Sequence, residues 1–179
     1  MSLEHNSALR KILNDHLRLG GDLTPHLNSI NRLWKSDADM TSRKTFPAHL
    51  TASAVLLRGS DVLMIEHKAL SMWLFPGGHM EAGEWPHETA ARELREETGH
   101  SASLYDMVPI DIDCHVIPEN GKKGEPEHFH IDFRYLFMEF EKVAPSDSQE
   151  ITDMKWISYE SIPSGYHRIA KAIAAKIER

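Results

Sequence analysis

The chain has a single cysteine, Cys114, so it has no partner for an internal disulfide and cannot build a cysteine-based zinc cluster. Long apolar runs are also missing: nowhere does the sequence approach the roughly 18 uninterrupted apolar residues that a membrane-spanning helix needs. The N-terminus carries Glu4, His5, Arg10 and Lys11 in place of an apolar leader, and a cytoplasmic chain, neither secreted nor membrane-embedded, is the expectation. Positive charge is in short supply, with 20 Lys and Arg against 27 Asp and Glu and a formal charge of −7. That balance argues against nucleic acid or an anionic membrane as partner, because either requires a basic face to displace counterions. An anionic small-molecule substrate would need a cation to mediate. What is present is ordinary for a globular protein: 179 residues, 41% hydrophobic and 26% charged. A chain of this size buries ~70% of its unfolded surface around one core.

Periodicity divides the chain. Leu9, Ile12, Leu13 and Leu17 fall at helical spacing, Gly20-Gly21 interrupt them, and Thr24-Pro25 opens a second helical pattern with Leu27, Ile30, Leu33 and Trp34. Residues 1–45 therefore read as an N-terminal helical hairpin, and 46–179 as the main domain. Within that domain strands are expected at Leu50–Leu57, Val62–Ile65, Trp73–Phe75, Met107–Ile117, Phe129–Phe140 and Met154–Ser158. Pro76-Gly77-Gly78 reads as a turn out of the third strand. A helix is expected over Pro86–Thr98, with Pro in its first turn and Gly99 after its end, and another from about Ser164, striped by Ile169, Ile173 and Ile177. Strands mixed with a few helices indicate an α/β or α+β domain in which helices cover a mixed sheet.

The Pro86–Thr98 helix clusters like charge. At about 100° per residue Glu93, Glu96 and Glu97 share one partly exposed side, and Ala90, Ala91 and Leu94 fall on another. Carboxylates three and four residues apart repel by a few tenths of a kcal/mol, roughly, per pair. A bound Mg²⁺ or Mn²⁺ would offset this, since both prefer oxygen ligands. On the helix alone, a solvated acidic face neutralised by Arg92 and Arg95 explains the pattern as well. The context favours the metal: Gly77-Gly78 let backbone approach a ligand, and the Gly77 carbonyl is a further oxygen donor.

Gly78, five residues, Glu84, seven residues, then Arg92-Glu93-Leu94-Arg95-Glu96-Glu97-Thr98-Gly99 resembles the signature of the Nudix hydrolases, Gly-x5-Glu-x7-Arg-Glu-U-x-Glu-Glu-x-Gly-U with U apolar. Every fixed position is present, and only the last U departs, being His100. The segments around Phe46–Ala54, Trp73–His79 and Glu127–Tyr135 are similar to one group of MutT-type Nudix proteins that carries an N-terminal helical extension. The resemblance implies an α/β/α sandwich around a mixed sheet, and a Mg²⁺- or Mn²⁺-dependent hydrolase of a nucleoside diphosphate linked to another moiety. By position it makes Glu93, Glu96, Glu97 and the Gly77 carbonyl metal ligands. Arg92 orients the carboxylates, while Gly78, Glu84 and Gly99 support the motif. It further implies in-line attack by a metal-activated water, with Glu93 or Glu96 as the first choice of base and Glu150, in a late loop, as the second.

Alternation along the late strand puts His128, His130, Asp132 and Arg134 on one face and Phe129, Ile131, Phe133 and Tyr135 on the other. With His79 beside the Gly pair, and His49 and His115 on or near other strands, these rings and the polar set are candidates to surround the diphosphate as a substrate-binding surface or to bind a further metal; a hydrogen-bonded polar sheet face is the plain alternative. Trp73, Phe129 and Tyr135 are candidates to stack on a base, although strand-spaced aromatics usually build core. Two other functions of the same fold remain: a ligand-sensing or scaffold module without catalysis, and an isoprenoid-diphosphate isomerase. The complete acidic box opposes both. The helical extension could cap the core, cover the cleft or form a homodimer interface.

Overall fold

The computed structural model describes residues 3–18, 38–143 and 149–177. Helix α1 spans Leu3–Arg18. Strands β1 (Ala48–Arg58), β2 (Asp61–His67), β3 (Met72–Leu74) and β4 (Gly77–His79) precede helix α2 (Pro86–Thr98). Strands β5 (His100–Leu104), β6 (Asp111–Ile117), β7 (His128–Lys142) and β8 (Ile151–Ser158) follow, and two 3₁₀ turns lead into helix α3 (His167–Ile177). The expected second helix around Thr24–Trp34 lies outside the described residues. Among the described residues no helix is long and apolar enough to cross a membrane.

The strands form one mixed sheet in the order β3-β2-β1-β7-β5, with β4 paired to β1, β6 to β7 and β8 to β2. Its central pair, β1 and β7, is parallel in register from Ala48–Phe129 to Leu56–Phe137. A parallel centre must be covered on both faces. On one face Leu50, Ala52, Ala54 and Leu56 of β1 and Ile131, Phe133, Tyr135 and Phe137 of β7 pack with Ala90 and Leu94 of α2 and Leu9 and Leu13 of α1. On the other, Val55, Leu57, Val62, Met64 and Leu136 pack with Ile169 and Ile173 of α3. This is the expected α/β/α sandwich, and α1 shares the core of the main domain. Each fully buried Ile or Leu in these layers contributes roughly 1.5–3 kcal/mol.

Several local expectations change. Ile169 and Ile173 are buried but Ile177, the third of the stripe, is 45% exposed at the helix end. The strand expected from Met107 begins at Asp111, and His100–Leu104, unassigned from sequence, forms β5 against the end of β7. Gly77-Gly78 are not a turn: they lie extended in β4, antiparallel to β1, with Gly77 opposite Ser53 and Gly78 opposite Ala52. Pairing to β1 imposes a conformation that glycine's low strand propensity conceals. Tyr135 and Phe129 belong to the α2-facing core and are not base-stacking platforms, while the ring of Trp73 is covered by Lys155, whose ammonium sits 3.6 Å from its centroid.

Candidate active site

Helix α2 starts and stops where its sequence dictates. Pro86 occupies the first turn, Glu88 accepts a 2.8 Å hydrogen bond from the Trp85 amide, and Gly99 closes the helix at φ 73° with its N–H on the Arg95 carbonyl. These ends fix the rotation of the acidic face towards β4. Glu97, expected on a partly exposed side, is only 4% exposed, and its Oε2 accepts the Gly77 amide at 2.9 Å. Burial, aided by Glu93, Glu150 and Glu96 close by, pushes its carboxyl up to about 8 against that hydrogen bond. Glu93 is shifted upward too, by burial first, with Arg92 opposing. A solvated acidic face therefore does not describe Glu93 or Glu97, whereas Glu96 does reach solvent.

Arg92 ties the box together. Its Nε and Nη2 form a fork on Glu84 at 2.7 and 3.0 Å. Nη1 reaches Glu93 at 2.9 Å and Glu96 at 3.2 Å, and Nη2 also donates to the His79 carbonyl. A planar, permanently charged guanidinium can orient several carboxylates at once. Glu84 in turn accepts from the Thr89 hydroxyl and the Glu81 amide. The Arg92 hydrogen bond is the first cause that holds its carboxyl down at about 2.

The box opens into a cleft of about 1030 Å³ lined by Gly77, Gly78, His79, Arg92, Glu93, Glu96, Glu97 and Glu150, with Arg43 and Arg95 among the cations. An adjoining cavity of about 240 Å³ shares Gly77, Gly78, His79 and Glu150 and continues along Thr51, Ser53, His115, His130, Asp132, Arg134 and Tyr166. Glu150, sequence-distant from the box, thus faces both spaces. The carboxylates in the larger cleft, three from one helix together with Glu150, form an oxygen donor set that suits a hard divalent cation. The raised Glu97 carboxyl is what such a cation would relieve.

Strand register builds the wall of the smaller cavity. His49 of β1 lies opposite His130 of β7, which lies opposite His115 of β6; in the next row Thr51, Asp132 and Asp113 align. Residues directly opposite share a face, so rings stack into a histidine cluster. Arg134 is committed within this wall: its guanidinium bonds Asp111, Asp113 and Asp132 at 2.9–3.1 Å while only 5% exposed. Asp132 also accepts from Thr51 and Ser53. Arg134 and Asp132 therefore form a fixed network, joined by Arg168 of α3. Sequence reading missed Asp111, Asp113 and Arg168, whose only signal was the alternation of Asp111, Asp113 and His115 along β6. His128 lines neither cavity, and Gly99 lies outside both, capping the helix and accepting the Val143 N–H on its carbonyl.

Burial lowers the basicity of His49 and His79 to about 4 and of His130 to about 2. The unfolded chain takes up these protons at about pH 6.5, so the folded state binds fewer below that point. Stability is present above pH 6.5 and lost as pH falls towards 4. Urea midpoints of the metal-free chain should drop steadily over that range. A flat profile would mean that the rings meet water.

A sheet sandwiched by helices, with an acidic, arginine-braced helix packed on a glycine strand at the edge of an open cleft, defines the class of protein. The chain belongs to the NUDIX domain family, whose model matches residues 47–176. It is 37% identical over 107 residues, 60% of its length and 64% of the relative's, to a probable DHNTP pyrophosphohydrolase of Lactococcus lactis subsp. cremoris (strain MG1363). It is 40% identical over 113 residues, 61% of its length and 65% of the relative's, to a putative 8-oxo-dGTP diphosphatase of Bacillus subtilis (strain 168). These matches span a little under two thirds of the curated relatives' lengths. A MutT NUDIX hydrolase structure from Burkholderia pseudomallei superposes with TM-score 0.55 at 17% identity, covering 70% of this chain and 98% of that one, a likeness of fold.

Proposed function

We propose that the protein is a metal-dependent pyrophosphohydrolase that cleaves the diphosphate bond of a nucleoside diphosphate linked to another moiety. The observation that carries this reading is the buried convergence of Glu93 and Glu97 with Glu96 and Glu150 around one open cleft. The names of the relatives, a pyrophosphohydrolase and a diphosphatase, support the same bond class. Glu93, Glu96 and Glu97, with the Gly77 carbonyl, would hold Mg²⁺ or Mn²⁺, which neutralises the diphosphate and makes a bound water acidic enough to act at neutral pH.

This chain's own residues do the rest. Arg92, locked on Glu84, fixes Glu93 and Glu96 so that their oxygens need no reorganisation when substrate enters. Hydrolysis forms a bond from the water oxygen to phosphorus and breaks the bridging P–O bond, and the leaving phosphate carries away the electron pair. The water proton passes to a carboxylate, for which Glu93 or Glu96 is placed first and Glu150, facing the cleft from the opposite loop, second. His79 and His130, lining the smaller cavity, would meet the far part of the substrate. We assign residues 46–179 to the hydrolase domain, with α1 as a cap on its core.

Release of phosphate or nucleotide should appear with Mg²⁺ or Mn²⁺ and vanish with chelator. The panel is ADP-ribose, nucleotide sugars, dinucleoside polyphosphates, coenzyme A, NADH and nucleoside triphosphates. Turnover that chelator leaves untouched would reject the metal-dependent reading.

A further inference from the structure

The histidine cluster is more than a polar sheet face. One ring nitrogen from each of His49, His128 and His130 lies within 4.8 Å of those of the others. The rings of His49 and His128 are 4.9 Å apart, those of His49 and His130 4.7 Å, and those of His128 and His130 5.3 Å between centroids. Two of these rings are held from behind. Nδ1 of His49 is 3.2 Å from the Thr45 carbonyl and Nδ1 of His128 is 2.7 Å from the Pro126 carbonyl. A carbonyl only accepts, so Nδ1 carries the proton and Nε2 of the neutral ring presents its lone pair. A backbone carbonyl behind one nitrogen is also the usual way that metal-binding histidines are oriented.

The Nε2 atoms of His49 and His130 are both buried with no hydrogen-bond partner. Leaving one such nitrogen unsatisfied costs roughly 1–3 kcal/mol, and two orphans beside each other call for a shared occupant. A water molecule has two protons to donate, whereas three ring nitrogens converge here. A cation satisfies all three. In a tetrahedral site with bonds of about 2.0–2.1 Å the nitrogens stand about 3.3 Å apart, so the rings close by at most about 1.5 Å. Neutral nitrogen donors favour zinc, cobalt, nickel or copper over magnesium.

We propose that His49, His128 and His130 form a binding site for a transition-metal dication of the zinc type, separate from the carboxylate box of α2. Three protein ligands leave a fourth position. His79, with its ring 5.1 Å from His49 and 5.0 Å from His130, is the neighbour that fills it or guides what does. Because His79 and His130 also line the smaller cavity, that position communicates with the cleft.

The test uses the full chain in excess Mg²⁺, which occupies the carboxylates. Calorimetric titration with Zn²⁺ should show one equivalent bound. Affinity should fall at least about 100-fold in His49→Asn and in His128→Asn, and stay unchanged in Glu96→Gln. X-ray absorption of the zinc-loaded, unaltered chain should show three imidazoles at about 2.0–2.1 Å. Should either histidine variant fail to melt cooperatively, that spectrum decides alone. No zinc bound in Mg²⁺, an all-oxygen shell, or binding abolished by Glu96→Gln and kept in both histidine variants would overturn the proposal.

Discussion

Glu97→Gln is expected to lower kcat at least about 100-fold, the most that losing a hydrogen-bond partner behind a ligand costs a metal site, while leaving the fold intact. The amide oxygen of Gln can still accept the Gly77 N–H that Glu97 Oε2 accepts at 2.9 Å, so the seat on β4 survives. What disappears is a charge that is 4% exposed and faces other carboxylates. The metal-free chain should consequently gain stability at alkaline pH. With the folded carboxyl at about 8 and the unfolded one near 4.3, the folded state holds the extra proton between those values. That contribution is present at low pH and lost as pH rises towards 8, and Gln abolishes the loss. Occupation by Mg²⁺ must expel the same proton, so Mg²⁺ affinity should rise by up to about tenfold per pH unit below pH 8. Calorimetry in two buffers of different ionisation heat would count the proton. Unaltered turnover, or Mg²⁺ binding without proton release at pH 7, would remove Glu97 from the ligand set.

Below pH 6.5 this carboxyl and the histidine rings act in opposite directions. Glu97 and Glu93 favour the folded state as acid is added, whereas His49, His79 and His130 disfavour it. His16, His87 and His100, also made less basic by burial, and Glu84 and Asp113, both held below the usual carboxylate range, act with the three rings, so acid is destabilising, and more so in chains where position 97 is Gln.

The parts of the site that lie along one element were legible in the sequence. Pro86 and Gly99 bracket α2, and helical geometry alone groups Glu93, Glu96 and Glu97. Alternation alone separates His128, His130, Asp132 and Arg134 from the core face of β7. What pairs across strands was not legible. That His49 stands opposite His130, and His115 beyond it, depends on a parallel register between segments about 80 residues apart. Burial of Glu97 was hidden for the same reason, because it depends on Gly77 lying extended against β1. Arg134 belonged to the candidate substrate-binding face until Asp111 and Asp113 on β6 engaged its guanidinium. The strand β5 has the weak sequence His-Ser-Ala-Ser-Leu, and only the edge of β7 gives it partners.

The two glycines of β4 should separate fold from activity. A Cβ at Gly77 would lie 2.5 Å from Ser53 Oγ, 2.6 Å from the Ala52 carbonyl and 2.8 Å from Ser53 Cα. Backbone in the middle of a sheet cannot retreat, so Gly77→Ala should cost about 1–3 kcal/mol, the range of overpacking strain. It should also disturb the Ser53 hydroxyl that donates to Asp132. At Gly78 the atoms nearest the added carbon all belong to the carboxylate of Glu93, the end of a side chain that can swing away. Gly78→Ala should therefore keep its urea midpoint near that of the unaltered chain. Displaced, Glu93 loses its 2.9 Å bond to Arg92 and its place beside Glu96, and kcat should fall about 100-fold or more. Midpoint and kcat measured on both variants give the contrast: an active Gly78→Ala would mean that Glu93 works from more than one position, and the box would then owe its function to Glu96 and Glu97.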